Sequence, residues 1–168
     1  NGVKLEEARD VAAACRRWKA KLKCIDSCVH LFVSGYFPEK EIRTAQTSAV
    51  VPIVAAVPKV RDWMKKKQRE CAQFGSLVME GRDIGSNVFP ETEFKFYLDA
   101  SLDERSKRRA AEGVQENLAV RDRRDSERAA APLMIPLGAR VINNSEMTSG
   151  ETSALIIKEI REKLEAEG

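Results

Sequence analysis

An α/β fold is predicted by three features of this 168-residue sequence. Leu77–Met79, Phe94–Leu98 and Ala139–Asn143 are short, continuous apolar runs of the kind that become buried strands. Helical stretches are predicted over 102–112, 114–128 and 152–165, so strand and helix alternate. That alternation argues for a parallel sheet flanked by helices. Hydrophobic residues at 43% and charged residues at 33% are an ordinary globular balance, and the length suits one domain.

The N-terminal third follows a different pattern. Val11, Ala12, Cys15, Trp18 and Leu22 recur at helical spacing and predict a helix over 5–22. Two strand-like runs follow, Lys23–Ile25 and His30–Val33, with turns marked by Ser34-Gly35 and Pro38. This helix-plus-hairpin unit has the character of a lobe inserted beside a larger core. A helix is expected from Thr44 to Val57, kinked or broken at Pro52, because proline removes an N–H and crowds the preceding turn. Pro58 suits the first turn of the next helix, whose seam is Val60, Trp63, Met64, Lys67 and Cys71. Arg61 lies beside that seam, so packing does not account for it. Ser101-Leu102-Asp103-Glu104 has the form of a capping box.

Composition excludes some classes. Four scattered cysteines are too few for a disulfide framework in a chain this long. Cys24, Cys28 and His30 lack a fourth ligand at finger-like spacing, and no metal site is assigned. The longest apolar run, Ala49–Pro58, contains two prolines and cannot span a membrane. A cytoplasmic location is expected, with no membrane partner. The net charge of +3 does not mark the whole molecule as a nucleic-acid binder. The basic residues between Arg105 and Arg128 have no aromatic side chains among them for base stacking, so no nucleic-acid partner is expected.

Two places suit chemistry. Gly81-Arg82-Asp83 follows a predicted strand, and open α/β sheets bind ligands at the carboxyl ends of their strands. Arg82 could hold an anion there and Asp83 a polar donor group. Equally, the two could form an internal ion pair. Farther on, Arg121, Asp125 and Arg128 share a helix face, Arg124 stands four residues before Arg128, and Arg105, Arg108 and Arg109 form a second basic face. The simpler explanation is a solvated helix with weak intrahelical pairs. Yet planar guanidinium groups near strand ends also suit a clamp on a polyphosphate.

Taken together, these residues resemble the bacterial cytidylate kinases. Glu80-Gly81-Arg82-Asp83-Ile84-Gly85 followed by Val88-Phe89-Pro90 is similar to that family's GRD-(I/M)-G…VFP signature. Arg121-Asp122-Arg123-Arg124-Asp125-Ser126-Glu127-Arg128, running on to Ala131-Pro132-Leu133, resembles its RDxRDxxRxxAPL segment. Glu41-Ile42-Arg43-Thr44 and Val54–Arg61 resemble two further stretches in the same order. The resemblance implies a P-loop nucleoside monophosphate kinase fold, with residues 1–43 as the nucleotide-binding insertion. Residues 44–168 would be the C-terminal part of the core, with a short lid around 108–120 and an incomplete sheet.

The implied activity is transfer of the γ-phosphoryl group of ATP to CMP or dCMP, by a monomer. Residues matching Arg61 and Asp83 would touch cytosine, those matching Arg121 and Asp125 the ribose, and those matching Arg82 and Arg128 the acceptor phosphate. Arg108, Arg109 and Arg124 would lie near the transferred phosphoryl group, with Mg2+ held mainly by nucleotide phosphates and the P-loop.

The sequence departs from the family's pattern twice. Pro52 stands where the resemblance implies a cytosine-contacting serine. No G-x-x-x-x-G-K-[ST] occurs in the 168 residues, so the backbone cradle for donor phosphates and its lysine are lacking. The expectation is an N-terminally truncated enzyme that is inactive by itself. Two other readings are a monophosphate kinase with altered base preference and a non-catalytic module for phosphate or nucleic acid.

Overall fold

The computed structural model describes residues 7–111, 118–127 and 133–166. Contacts divide the chain into two compact units, residues 1–79 and 80–168.

In the first unit, helix α1 (Ala8–Arg17) buries Val11, Ala12, Ala14 and Cys15. Val11 and Cys15 form a core with Val57 and Val60, and Val54 and Trp63 pack against it. Burial pushes the Cys15 thiol above its ordinary pKa. The expected helix through Leu22 is corrected, because α1 stops at Arg17 and Trp18 is already extended. From Lys19 to Lys23 polar and apolar residues alternate at period two, which suits a strand. Strand β1 (Ala20–Ile25) pairs antiparallel with β2 (Cys28–Val33), placing Leu22 opposite Leu31. The two residues between them, Asp26 and Ser27, both have positive φ, as a two-residue turn matching the strand twist requires.

Helix α2 (Ala45–Ala55) begins at Thr44, whose Oγ1 accepts from the Thr47 N–H at 3.2 Å. The expected break at Pro52 does not occur, since α2 runs past it. The proline forfeits one backbone bond without ending the helix. Helix α3 (Pro58–Glu70) starts on its proline as expected, burying Val60. Cys71, just beyond it, is buried as well, whereas Met64 of the predicted seam is exposed.

The second unit is mixed α/β. Strand β3 (Phe96–Asp99) pairs parallel with β4 (Arg140–Asn143), with Leu98 opposite Ile142. Helix α4 (Leu102–Ala111) follows β3 and precedes α5 (Leu118–Ser126), while α6 (Ser149–Ala166) follows β4. Val88, Ala100, Leu118, Ile142 and Thr152 are buried. The strand expected at Leu77–Met79 is corrected. It forms no strand among the described residues, and Val78 is fully exposed. An apolar run becomes a strand only when a neighbour completes its ladder of N–H and C=O groups, and none does so here.

Candidate functional site

The carboxyl ends of β3 and β4 lie side by side because the pair is parallel. The Asn144 N–H donates to the Asp99 carbonyl at 2.8 Å, extending the ladder one residue past the strands. The Ser101 N–H donates to Ser145 Oγ at 3.0 Å, and that hydroxyl donates to Asn143 Oδ1 at 2.8 Å. Two helices begin at this edge. Ser101 Oγ accepts from the Glu104 N–H at 3.2 Å, as the capping motif predicts. The reciprocal arm differs from a full capping box. Ser101 N–H is taken by Ser145, and the Glu104 carboxylate accepts from Arg108 Nε at 2.9 Å.

The start of α6 carries the complete device. Thr148 Oγ1 accepts from the Glu151 N–H at 3.2 Å, and Glu151 Oε2 accepts from the Thr148 N–H at 2.8 Å. The backbone donor, then the hydroxyl of Thr148, hold the Glu151 carboxyl below its ordinary pKa. Thr-x-x-Glu at 148–151 is a legible start signal, and α6 begins at Ser149, three residues before the expected start at Thr152.

Between these helix starts lies a pocket of about 690 Å³, lined among others by Leu98, Arg108, Asn144, Met147, Thr148 and Ile156. That size lies within the roughly 300–1,000 Å³ of small-molecule sites. Arg108 forms part of its wall. Besides Glu104, its guanidinium reaches Asn144 Oδ1 at 3.2 Å, the Asn144 carbonyl at 2.8 Å and the Met147 carbonyl at 3.3 Å. Asn144 and Met147 carry no local sequence motif, and only the fold brings them to α4.

The basic face of α4 is half-buried at Arg105, Arg108 and Arg109, whereas Lys107 is exposed. Arg105 turns to α5, where Asp122 Oδ2 accepts from its Nη1 at 2.5 Å, and its Nε donates to the Ala100 carbonyl at 3.2 Å. Asp122 was absent from the candidate residues and links the two arginine-bearing helices through Arg105. Arg121, Arg124 and Asp125 lie on α5, but their side chains are outside the described part, as is all of Arg128. Residues 112–117 of the expected lid also lie outside the described residues, as do Ala131 and Pro132.

Arg82 and Asp83 are half-buried in the turn leading into a single wide helical turn, Ile84–Val88. The Asp83 carbonyl accepts from the N–H groups of Asn87 at 2.9 Å and Val88 at 3.2 Å. Wide turns of this type recur at functional sites. A Cβ at Gly85 would stand 3.1 Å from the Pro136 ring, so only glycine fits without the neighbour moving. Arg61 belongs to the first unit, on α3, where its Nη1 donates to the Ala55 carbonyl at 3.4 Å. Cys24 and Cys28, considered as ligands with His30, are exposed on the hairpin. His30 instead packs edge-on against Phe37, with ring centroids 4.7 Å apart.

Parallel strands opening onto two helix starts, with arginines on the adjoining helix, make an α/β unit whose pocket lies at its strand ends, where open α/β sheets bind their ligands. Comparison with known proteins narrows the class. A family model described as Cytidylate kinase matches residues 1–162. A cytidylate kinase of Anoxybacillus flavithermus is 35% identical over 175 aligned residues, covering 98% of this chain and 78% of that protein. Another, from Caldanaerobacter subterraneus, is 38% identical, covering 82% of this chain and 66% of the relative. A bifunctional pantoate ligase/cytidylate kinase of a Synechococcus is 32% identical over 99% of this chain, which matches 34% of that longer protein. The chain belongs to the cytidylate kinase family.

Proposed function

We propose that this chain forms the acceptor-binding and lid portion of an ATP-dependent kinase for CMP and dCMP, on a P-loop nucleoside monophosphate kinase fold. The observation that carries the reading is the ordered set of matching segments, Glu41–Thr44, Val54–Arg61, Glu80–Pro90 and Arg121–Leu133, within a family match spanning residues 1–162. In this reading residues 1–43 are the nucleotide-binding insertion and 44–168 belong to the core, with the lid at 108–120.

Phosphoryl transfer to CMP is attack by an acceptor phosphate oxygen on the γ-phosphorus of ATP, with ADP as leaving group. Little covalent chemistry falls to the protein, so positioning and charge neutralisation dominate. Arg61 and Asp83 read cytosine, Arg121 and Asp125 hold the ribose, and Arg82 and Arg128 hold the acceptor phosphate. Arg109 and Arg124 neutralise charge around the transferred group. Arg108 neighbours them in sequence, but its hydrogen bonds favour another role.

The pocket beside β4 suits the nucleoside of the donor. Its lining carries two carboxylates, Glu104 and Glu146, and one cation, Arg108, already bonded to Glu104, Asn144 and Met147. A neutral base and ribose fit there better than a polyphosphate. Mg2+ would add charge neutralisation on the donor phosphates. It would be held mainly by nucleotide phosphates and a P-loop, and among the described residues no group of three His, Cys, Asp or Glu side chains is placed to hold it. The phosphate cradle has no counterpart in these 168 residues, and turnover is expected only when a G-x-x-x-x-G-K-[ST] segment is joined to them.

A reading with shifted base preference is favoured by Pro52 alone. A nucleic-acid module is favoured less, because Arg105 and Arg108 direct their guanidinium groups inward to Asp122, Ala100, Asn144 and Met147. Calorimetric titration of the chain with CMP, UMP and AMP tests the reading. CMP should bind most tightly, and equal affinity for all three would sink it. Among the described residues no helix is long and apolar enough to cross a membrane.

A further inference from the structure

We infer that Arg108 is a positioning residue, which fastens the Asn144–Met147 turn to α4 and so sets the wall of the strand-end pocket. Its four hydrogen bonds engage all three guanidinium nitrogens, and three of them go to residues 36 to 39 positions away. Two of those acceptors are backbone carbonyls of one turn, Asn144 and Met147, and both accept from the same nitrogen, Nη2. Glu104, one helical turn earlier, fixes the fork through Nε. Arg105 and Arg108 lie three residues apart on the same helix, yet Arg105 turns to α5 and Arg108 to the turn after β4. Adjacent arginines of one basic face therefore do different work.

The turn that Arg108 holds is otherwise tied through Ser145, which bonds Asn143 and Ser101, and through two backbone bonds. The Asn144 N–H reaches the Asp99 carbonyl, and the Met147 N–H closes back on the Asn144 carbonyl at 3.1 Å. Below it, Thr148 starts α6. Releasing Arg108 leaves the Met147 carbonyl to find water and the Asn144 carbonyl with its bond from the Met147 N–H, and it frees the far end of the turn to move, while β3, β4 and the α6 cap keep their own bonds.

The consequence for catalysis rests on the proposed function. Arg108 acts on donor binding through the pocket wall, and transfer itself depends on other arginines. The test compares the wild-type full chain with Arg108→Lys and Arg108→Ala. Amide hydrogen exchange should accelerate about tenfold or more at 144–148 and stay unchanged in β3 and β4. In the same variants joined to a G-x-x-x-x-G-K-[ST] segment, where turnover is expected, KM for ATP should rise about tenfold, with kcat and KM for CMP within about threefold of wild type.

Unchanged exchange at 144–148 overturns the inference, and so does a hundredfold fall in kcat with KM for ATP unaltered. Should Arg108→Ala fail to fold, Arg108→Lys, which retains the charge, still reports through exchange. Failure of the wild-type chain to bind CMP would count against the proposed function and leave the exchange result to decide the role of Arg108.

Discussion

Arg105 on α4 and Asp122 on α5 form an ion pair at 2.5 Å that ties together the helices carrying most of the candidate arginines. Side-chain exposures of 37% and 27% make it only partly screened by solvent. Arg105 also serves the buried Ala100 through its carbonyl, so its two bonds connect the exit of β3 with both helices.

Removing either partner should therefore cost unequal amounts. A double-mutant cycle with Asp122→Ala and Arg105→Ala should show a coupling of about 0.5–1 kcal/mol in urea unfolding, the range of a partly exposed pair. Arg105→Ala should be the costlier single change by about 0.5–1.5 kcal/mol, because the Ala100 carbonyl also loses its donor. A coupling of zero would show that the pair does not tie the helices.

Base recognition is expected to rest on Asp83. Loss of a charged contact costs on the order of 1.5–3 kcal/mol, so Asp83→Ala should weaken CMP binding about tenfold or more and narrow its preference over UMP. Pro52→Ser should move the preference the other way, since it supplies a hydroxyl where the resemblance implies one. Titrations with both nucleotides decide, and unchanged discrimination in Asp83→Ala refutes the assignment.

The acceptor phosphate is expected to need the fork of Arg128. Lysine keeps the charge but cannot make two parallel N–H bonds to a phosphate. Arg128→Lys should accordingly weaken CMP binding nearly as much as Arg128→Ala, with cytidine binding unaffected by either. Near-normal CMP affinity in Arg128→Lys would make it an ordinary surface charge.

The start of α6 gives a pH signature. Hydrogen bonds from the Thr148 N–H and hydroxyl lower the Glu151 pKa from the ordinary value near 4.5. A carboxyl whose folded pKa is lowered adds stability that is present above the unfolded value and lost as pH falls through the folded one. Wild type should therefore exceed Glu151→Gln in melting temperature at neutral pH, and the gap should close on acidification below the ordinary glutamate range. A gap that persists unchanged in acid would mean that the charged form makes no special contribution.

Local signals were legible wherever a few neighbouring residues decide the outcome. Pro58 begins α3, Ser101 caps α4, and the hairpin forms where two strand-like runs flank a turn. The same local logic would have found Thr148 and Glu151. It misjudged Trp18–Leu22, where helical spacing and period-two alternation compete and the ladder with β2 prevails.

Tertiary structure alone decided what those groups touch. Leu77–Met79 has the composition of a strand, but a strand exists only through a partner's backbone. Arg105 and Arg108 belong to one face by spacing, yet beyond their near neighbours Ala100 and Glu104 they reach acceptors 17 and 36 to 39 residues away and on different elements. Helix periodicity specifies direction around an axis over a few residues. The acceptor that satisfies a guanidinium group is chosen by packing between segments distant in the chain, and that choice separates a pocket brace from a phosphate ligand.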